Sequence, residues 1–126
     1  MTVTKTNALN WFELYVSDIE RAQTFYETIL ADKLQYMANE SNKMAIFPYN
    51  QEAGVGGSLT QMDGFKPGAG GTLVYLNVEG DLDGVISRIP EAGGKIIRPR
   101  FAIPPHGFIA IFEDSEGNVV GLHSMS

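Results

Sequence analysis

The sequence predicts an α+β fold in which two paired βαβββ modules form a half-barrel cup, and three observations lead there. The chain repeats itself weakly along its length. Tyr15-Val16-Ser17-Asp18-Ile19 returns as Asn77-Val78-Glu79-Gly80-Asp81-Leu82, Ala45-Ile46-Phe47 as Ala110-Ile111-Phe112, and Gly57-Ser58-Leu59-Thr60 as Val120-Gly121-Leu122-His123. The copies sit about 62 to 65 residues apart, so only small insertions separate them. Each copy reads as a strand, an amphipathic helix and three further strands. Between them, Met62-Asp63-Gly64-Phe65-Lys66-Pro67-Gly68-Ala69-Gly70 is dense in Gly and Pro and reads as a connecting loop. The expected organisation is one domain over residues 1–126, with module 1 at about 8–62 and module 2 at about 70–125.

In the first module, Trp11 to Ser17 is rich in aromatic and branched residues and reads as a strand. Ser17-Asp18-Ile19-Glu20 has the form of a capping box, with Ser17 as the cap. Ile19, Ala22, Tyr26, Ile29 and Leu30 follow at helical spacing, which predicts a helix over 18–30. Strands are expected at 34–38, 44–48 and 56–61, with a turn at Asn39-Glu40-Ser41-Asn42. The second module opens with a strand over 72–78. Asp81 then caps a helix through Leu82, Val85, Ile86 and Ile89, which Pro90 ends or kinks. Strands follow at 95–101, 108–114 and 119–123, the last two joined by the tight turn Ser115-Glu116-Gly117-Asn118.

Composition removes several functions. Hydrophobic residues at 44% and charged residues at 19% describe a folded chain rather than a disordered one. The net charge of −6, with no Lys/Arg cluster, argues against a nucleic-acid partner. No apolar run approaches the ~20 residues of a membrane span. Met1 to Asn7 lacks the apolar stretch of a secretion signal. Without cysteine there is no disulfide framework and no thiolate chemistry, and a cytoplasmic location is expected.

Strand alternation assigns faces. Phe12, Leu14 and Val16 pack under the first helix, leaving Trp11, Glu13 and Tyr15 on the cup side. Val74, Leu76 and Val78 pack under the second, leaving Leu73, Tyr75 and Asn77 for the cup. Ser58, Thr60, Gly121 and His123 face inward by the same count. A mostly apolar and aromatic lining with a few polar groups suits a small-molecule pocket.

Phe12-Glu13-Leu14-Tyr15-Val16-Ser17-Asp18 running into Phe25-Tyr26, together with the turn Phe112-Glu113-Asp114-Ser115-Glu116-Gly117-Asn118, resembles the vicinal oxygen chelate superfamily. That superfamily includes glyoxalase I, ring-cleaving dioxygenases and bleomycin or fosfomycin resistance proteins. The resemblance covers roughly residues 8 to 125 and implies paired βαβββ modules around a cup, often in a homodimer. Metal-dependent members place one ligand on the first and last strand of each module. Carried over by position, those sites fall on Trp11, Ser58 or Gly57, Leu73 and Gly121. None offers the imidazole or carboxylate that Zn, Ni, Fe or Mn want, so no cofactor is expected and glyoxalase I activity is disfavoured.

Two roles then compete. As a binding protein of the bleomycin-resistance type, the cup takes a hydrophobic or planar ligand on Trp11, Tyr15, Thr60, Leu73, Tyr75 and Asn77, with the loop residue His106 closing over it. As a lyase- or isomerase-like enzyme, Glu13 serves as general base and His123 as its acid partner, with or without a divalent metal held at a non-standard site by Glu13, His123 and His106. Plain structural roles stand beside these: Glu13 as an acceptor for neighbouring donors, His123 and His106 as exposed side chains, the aromatics as packing. A vestigial cup in a dimeric interaction protein is the third reading. A homodimer is expected because sheet edges and apolar residues such as Phe47, Phe65 and Phe101 need cover.

Overall fold

The computed structural model describes residues 6–126. Residues 1–5, part of the stretch read above for a secretion signal, lie outside the described residues. Module 1 comprises β1 (Trp11–Tyr15), α1 (Ile19–Leu30), β2 (Gln35–Ala38), β3 (Asn42–Ile46) and β4 (Gly56–Met62). Module 2 comprises β5 (Tyr75–Asn77), α2 (Leu82–Ala92), β6 (Lys95–Ala102), β7 (Phe108–Glu113) and β8 (Val119–Ser124). The first sheet has the order β1-β4-β3-β2 and the second β5-β8-β7-β6, so the same topology occurs twice. In each, the first strand pairs parallel with the last and the other pairings are antiparallel. This is the predicted α+β architecture of paired βαβββ modules of the half-barrel cup type.

One core serves both modules. Val16, Phe25, Tyr26, Ile29, Ala45, Phe47 and Leu59 join Leu76, Val78, Val85, Ile89, Phe112 and Leu122 in a single buried cluster. The ring of Phe25 stacks on Phe112 of the other module, and Tyr26 meets both Phe47 and Phe112 edge-on. The helices contact each other, and Arg88 Nε of α2 donates to the Ile29 carbonyl near the end of α1 (2.9 Å). Among the described residues, no strand of one sheet lies beside a strand of the other. Both sheets therefore turn their helix-covered faces to the shared core, and their helix-free faces look away from it.

The second join is the turn between β7 and β8. The Glu116 carboxylate accepts from the Ser17 and Asp18 amides (2.9 and 3.1 Å) and from Arg21 Nε and Nη2 (2.6 and 2.9 Å). Asn118 Nδ2 donates to the Tyr15 carbonyl (2.8 Å), and the Tyr26 hydroxyl donates to Asp114 Oδ2 (2.8 Å). Asp114 Oδ1 closes its own turn by accepting from the Glu116 and Asn118 amides. The turn motif thus docks module 2 onto the start of α1.

Three local expectations change. The α1 cap is Asp18, which accepts from the Arg21 amide, whereas the Ser17 amide is held by Glu116. Pro90 does not end α2: it sits inside the last turn, two residues before Ala92, where its ring forfeits only the bond to the Ile86 carbonyl. The helix instead stops at Gly93, whose φ of 104° is costly for any residue with a Cβ. Phe47, expected to need cover from a partner, is buried in the core: it follows core-facing Ala45 by two residues, its amide donates to the Gly57 carbonyl of β4 (3.0 Å), and its ring packs on Phe12.

Candidate functional site

The helix-free face of the first sheet follows from register. Trp11, Glu13 and Tyr15 of β1 oppose Gly56, Ser58 and Thr60 of β4, and Ser58 and Thr60 oppose Ile46 and Met44 of β3. The alternate residues Phe12, Leu14 and Leu59 belong to the core side. Trp11 meets Tyr49 edge-on at 5.9 Å, and the Tyr49 ring lies over Gly56, a position with no side chain to block it. Tyr15 stacks on Phe65 of the connector at 4.9 Å, leaving Phe65 itself about half exposed (48%). Ser58 and Thr60 are fully buried, and their hydroxyls share a hydrogen bond of 3.0 Å. Thr60 is therefore on the predicted face but shaded by its neighbours. Glu13 is exposed, and no hydrogen bond or ion pair engages its carboxylate among the described residues.

The second sheet repeats the plan. Tyr75 and Asn77 of β5 oppose Gly121 and His123 of β8, which oppose Ile111 and Ile109 of β7. The Tyr75 ring lies over Gly121, as Tyr49 lies over Gly56. Tyr75 and Asn77 are exposed while Leu76 and Val78 are buried in the core, as the alternation predicted; β5 starts only at Tyr75, so Leu73, expected within the strand, is exposed in the segment leading into it. The Asn77 carboxamide oxygen accepts from the Glu79 amide, which fixes its orientation. His123 Nε2 lies 2.7 Å from the His106 carbonyl. A carbonyl can only accept, so Nε2 is the donor of this bond. The loop that presents His106 is held by its own backbone, with the His106 amide donating to Ile103 O and the Ile103 amide to Gly107 O.

The structure thus joins His123 to the His106 backbone but does not bring Glu13 to His123, which stands on the other sheet. Two shallow clefts of about 190 and 240 Å3 lie at the tip of the β2–β3 hairpin and beside Tyr49, and neither is lined by Glu13 or His123. Where pKa values move, the groups are structural. Burial pushes the Tyr26 hydroxyl well above its ordinary value, with the Asp114 charge adding to it. Burial also raises Asp114, more than its donors Tyr26 and the turn amides lower it. For Glu116 burial acts upward too, but the hydrogen bonds from Arg21, Asp18, Ser17 and Ser115 outweigh it and hold the carboxyl below the usual range.

Sequence reasoning passed over Arg98. Two register shifts in β6 carry it out of strict alternation onto the helix-free face, opposite Ile111. The Pro99 beside it was the available signal, since Pro inside a strand marks a bulge or an edge.

The model of the Glyoxalase/Bleomycin resistance protein/Dioxygenase superfamily matches residues 8–122. The chain belongs to that superfamily. A glyoxylase/bleomycin resistance protein/dioxygenase domain from Frankia sp. EAN1pec superposes with a TM-score of 0.70 at 20% identity, covering 95% of this chain and 98% of that one. A family enzyme from Burkholderia phytofirmans PsJN gives 0.67 at 13% identity, over 93% and 98%. A glyoxalase I mutant from Zea mays gives 0.66 at 26% identity, over 91% of this chain but 46% of that one. No curated protein matches the chain.

A metal of the kind some superfamily members use finds no donor set at the corresponding positions. Trp11 and Leu73 are apolar or aromatic, Gly121 has no side chain and lies under Tyr75, and the Ser58 hydroxyl is bonded to Thr60. Among the described residues no three His, Cys, Asp or Glu side chains gather. No described helix is long and apolar enough to cross a membrane.

Proposed function

We propose that this superfamily member binds a planar, largely apolar small molecule between two helix-free sheet faces, without a metal at the usual positions. The observation that carries it is the gathering of large aromatic and apolar side chains with sparse polar groups on the helix-free faces: half-buried Trp11 and Tyr15 with exposed Glu13 on one wall, exposed Leu73, Tyr75 and Asn77 with half-buried His123 on the other. Large apolar side chains left on a sheet face mark a binding surface. Because the two faces look away from the shared core, the closed cup belongs to a homodimer, with the first sheet of one copy facing the second sheet of its partner. Trp11 is the lone tryptophan and stands on the lining, so its emission reports occupancy directly. Titration with a panel of planar aromatic compounds is expected to quench or shift it saturably, and a spectrum unmoved by the whole panel would end the reading.

A second reading, a lyase- or isomerase-like enzyme, draws on Glu13. Its carboxylate has no partner among the described residues and is free to take a proton from a ligand. Glu13→Gln should then abolish turnover of any converted ligand while leaving its affinity within a few-fold. Turnover that survives the substitution would leave the binding role alone.

A further inference from the structure

The chain has four arginines, and three of them are committed to carboxylates: Arg21 to Glu116 and Arg88 to Asp81 (both 2.6 Å), and Arg100 to Asp83 (3.3 Å). Arg98 has no carboxylate partner among the described residues. Its position is set by the irregular pairing of β6. Ile96 opposes Phe112 on the core side, Arg98 opposes Ile111, and Phe101 opposes Ile109, with register shifts on either side of Arg98. Without the shifts, Arg98 and Arg100 would share a face. With them, Arg100 lies over Phe108 beside α2, while Arg98 joins Phe101 on the helix-free wall. The Arg98 guanidinium rests 3.4 Å from the centroid of the Phe101 ring.

From Arg98 the sheet runs inward through Ile111 and Gly121 to Tyr75. Gly121 adds no side chain and the Tyr75 ring covers it, so one aliphatic residue separates the cation from an aromatic platform. Three strand spacings give about 14 Å between the outer backbones, which the two long side chains narrow to the length of a small ring system. Stacking on Phe101 occupies one face of the guanidinium and leaves its edge N–H groups free. A planar fork held in one orientation is the donor that suits a two-oxygen anion. The protein's net charge of −6 offers anions no general attraction, so this contact acts only on what is already in the cup.

We infer that the wall formed by Arg98, Phe101, Ile111 and Tyr75 selects planar ligands that carry an oxyanion, a carboxylate or its sulfonate or phosphate equivalent, with the ring on Tyr75 and the anion on Arg98. This rests on the small-molecule cup proposed above. The test uses two naphthalene probes alike in shape: 8-anilinonaphthalene-1-sulfonate and the uncharged N-phenyl-1-naphthylamine. Wild type should bind the sulfonate about tenfold more tightly than the neutral probe, a ratio typical of one charge-assisted contact. Arg98→Gln should erase that preference while leaving the neutral probe unchanged, Arg98→Lys should retain part of it, and Arg100→Gln should retain all of it. If Arg98→Gln binds both probes as wild type does, the inference falls and the cup survives. An equal loss in Arg100→Gln would show a surface-charge effect and also overturn it. Should Arg98 instead pair with an acid of a second copy, its loss would shift dimer dissociation without touching probe preference, a third contrary result. If wild type binds neither probe, the cup reading itself fails. Should Arg98→Gln not fold, the Arg98→Lys titration decides by whether the sulfonate preference drops.

Discussion

At Glu116 one carboxylate, its side chain fully buried, receives the Ser17 and Asp18 amides and two nitrogens of Arg21. Truncation to Ala orphans two amides and frees the guanidinium, at a cost of about 2–3 kcal/mol, or roughly 10 °C in melting temperature. The pH dependence has a definite sign. A carboxyl whose folded pKa is lowered contributes its stability above the unfolded value, ~4.3, and loses it as pH falls through the folded value. Asp114 is raised and works the other way, so acid relieves the cost of its buried charge. Comparing wild type with Glu116→Gln cancels Asp114. The gap between their melting curves should be widest near pH 7 and shrink toward pH 3, and parallel curves would refute the role. From the sequence, Glu116 could be read as part of a turn but not as a clamp, because its partners lie nearly the whole chain away.

At the scale of elements, what was legible is what period alone decides. Core faces of β1, β5, α1 and α2 emerged from alternation and helical spacing, since one misplaced residue there would expose a whole apolar set. The irregularities of β6 and the continuation of α2 through Pro90 depend on packing that no local pattern encodes. The two modules offer a matched experiment on this point. A Cβ added at Gly57 would strike the Phe12 ring, which packs on Phe47 against the core. A Cβ at Gly121 would strike the Tyr75 ring, which is 44% exposed and can swing outward. Gly57→Ala should therefore cost about 2–3 kcal/mol by overpacking, and Gly121→Ala less than about 1. Denaturant titrations giving equal losses would mean that Tyr75 is as fixed as Phe12. Gly121→Ala should also disturb ligand binding, because the ring it displaces is the proposed platform.

For the whole molecule, the repeat suggested a cup between the two halves of one chain, yet a repeat does not say which copies of the module face each other. The shared helix core places the lining faces on opposite sides, with Leu73, Tyr75, Met37 and Ile97 all exposed on a single chain. A homodimer is therefore expected, and light scattering should give twice the 13.8 kDa chain mass at micromolar concentration. Mass alone would not show that the cup spans the copies; complementation would. Tyr15→Ala removes an aromatic from the first wall and Tyr75→Ala from the second, so either homodimer has both cups damaged. Unfolding and refolding the two variants together makes about half the dimers mixed, by chance pairing of equal amounts. In a mixed dimer whose cups span the copies, one cup carries both substitutions and the other neither, so about a quarter of all cups return to wild-type affinity. If each cup is built within one chain, every cup keeps one substitution and mixing restores none. A titration of the mixture with a tight-binding planar probe, showing either that recovered fraction or its absence, decides between the two assemblies.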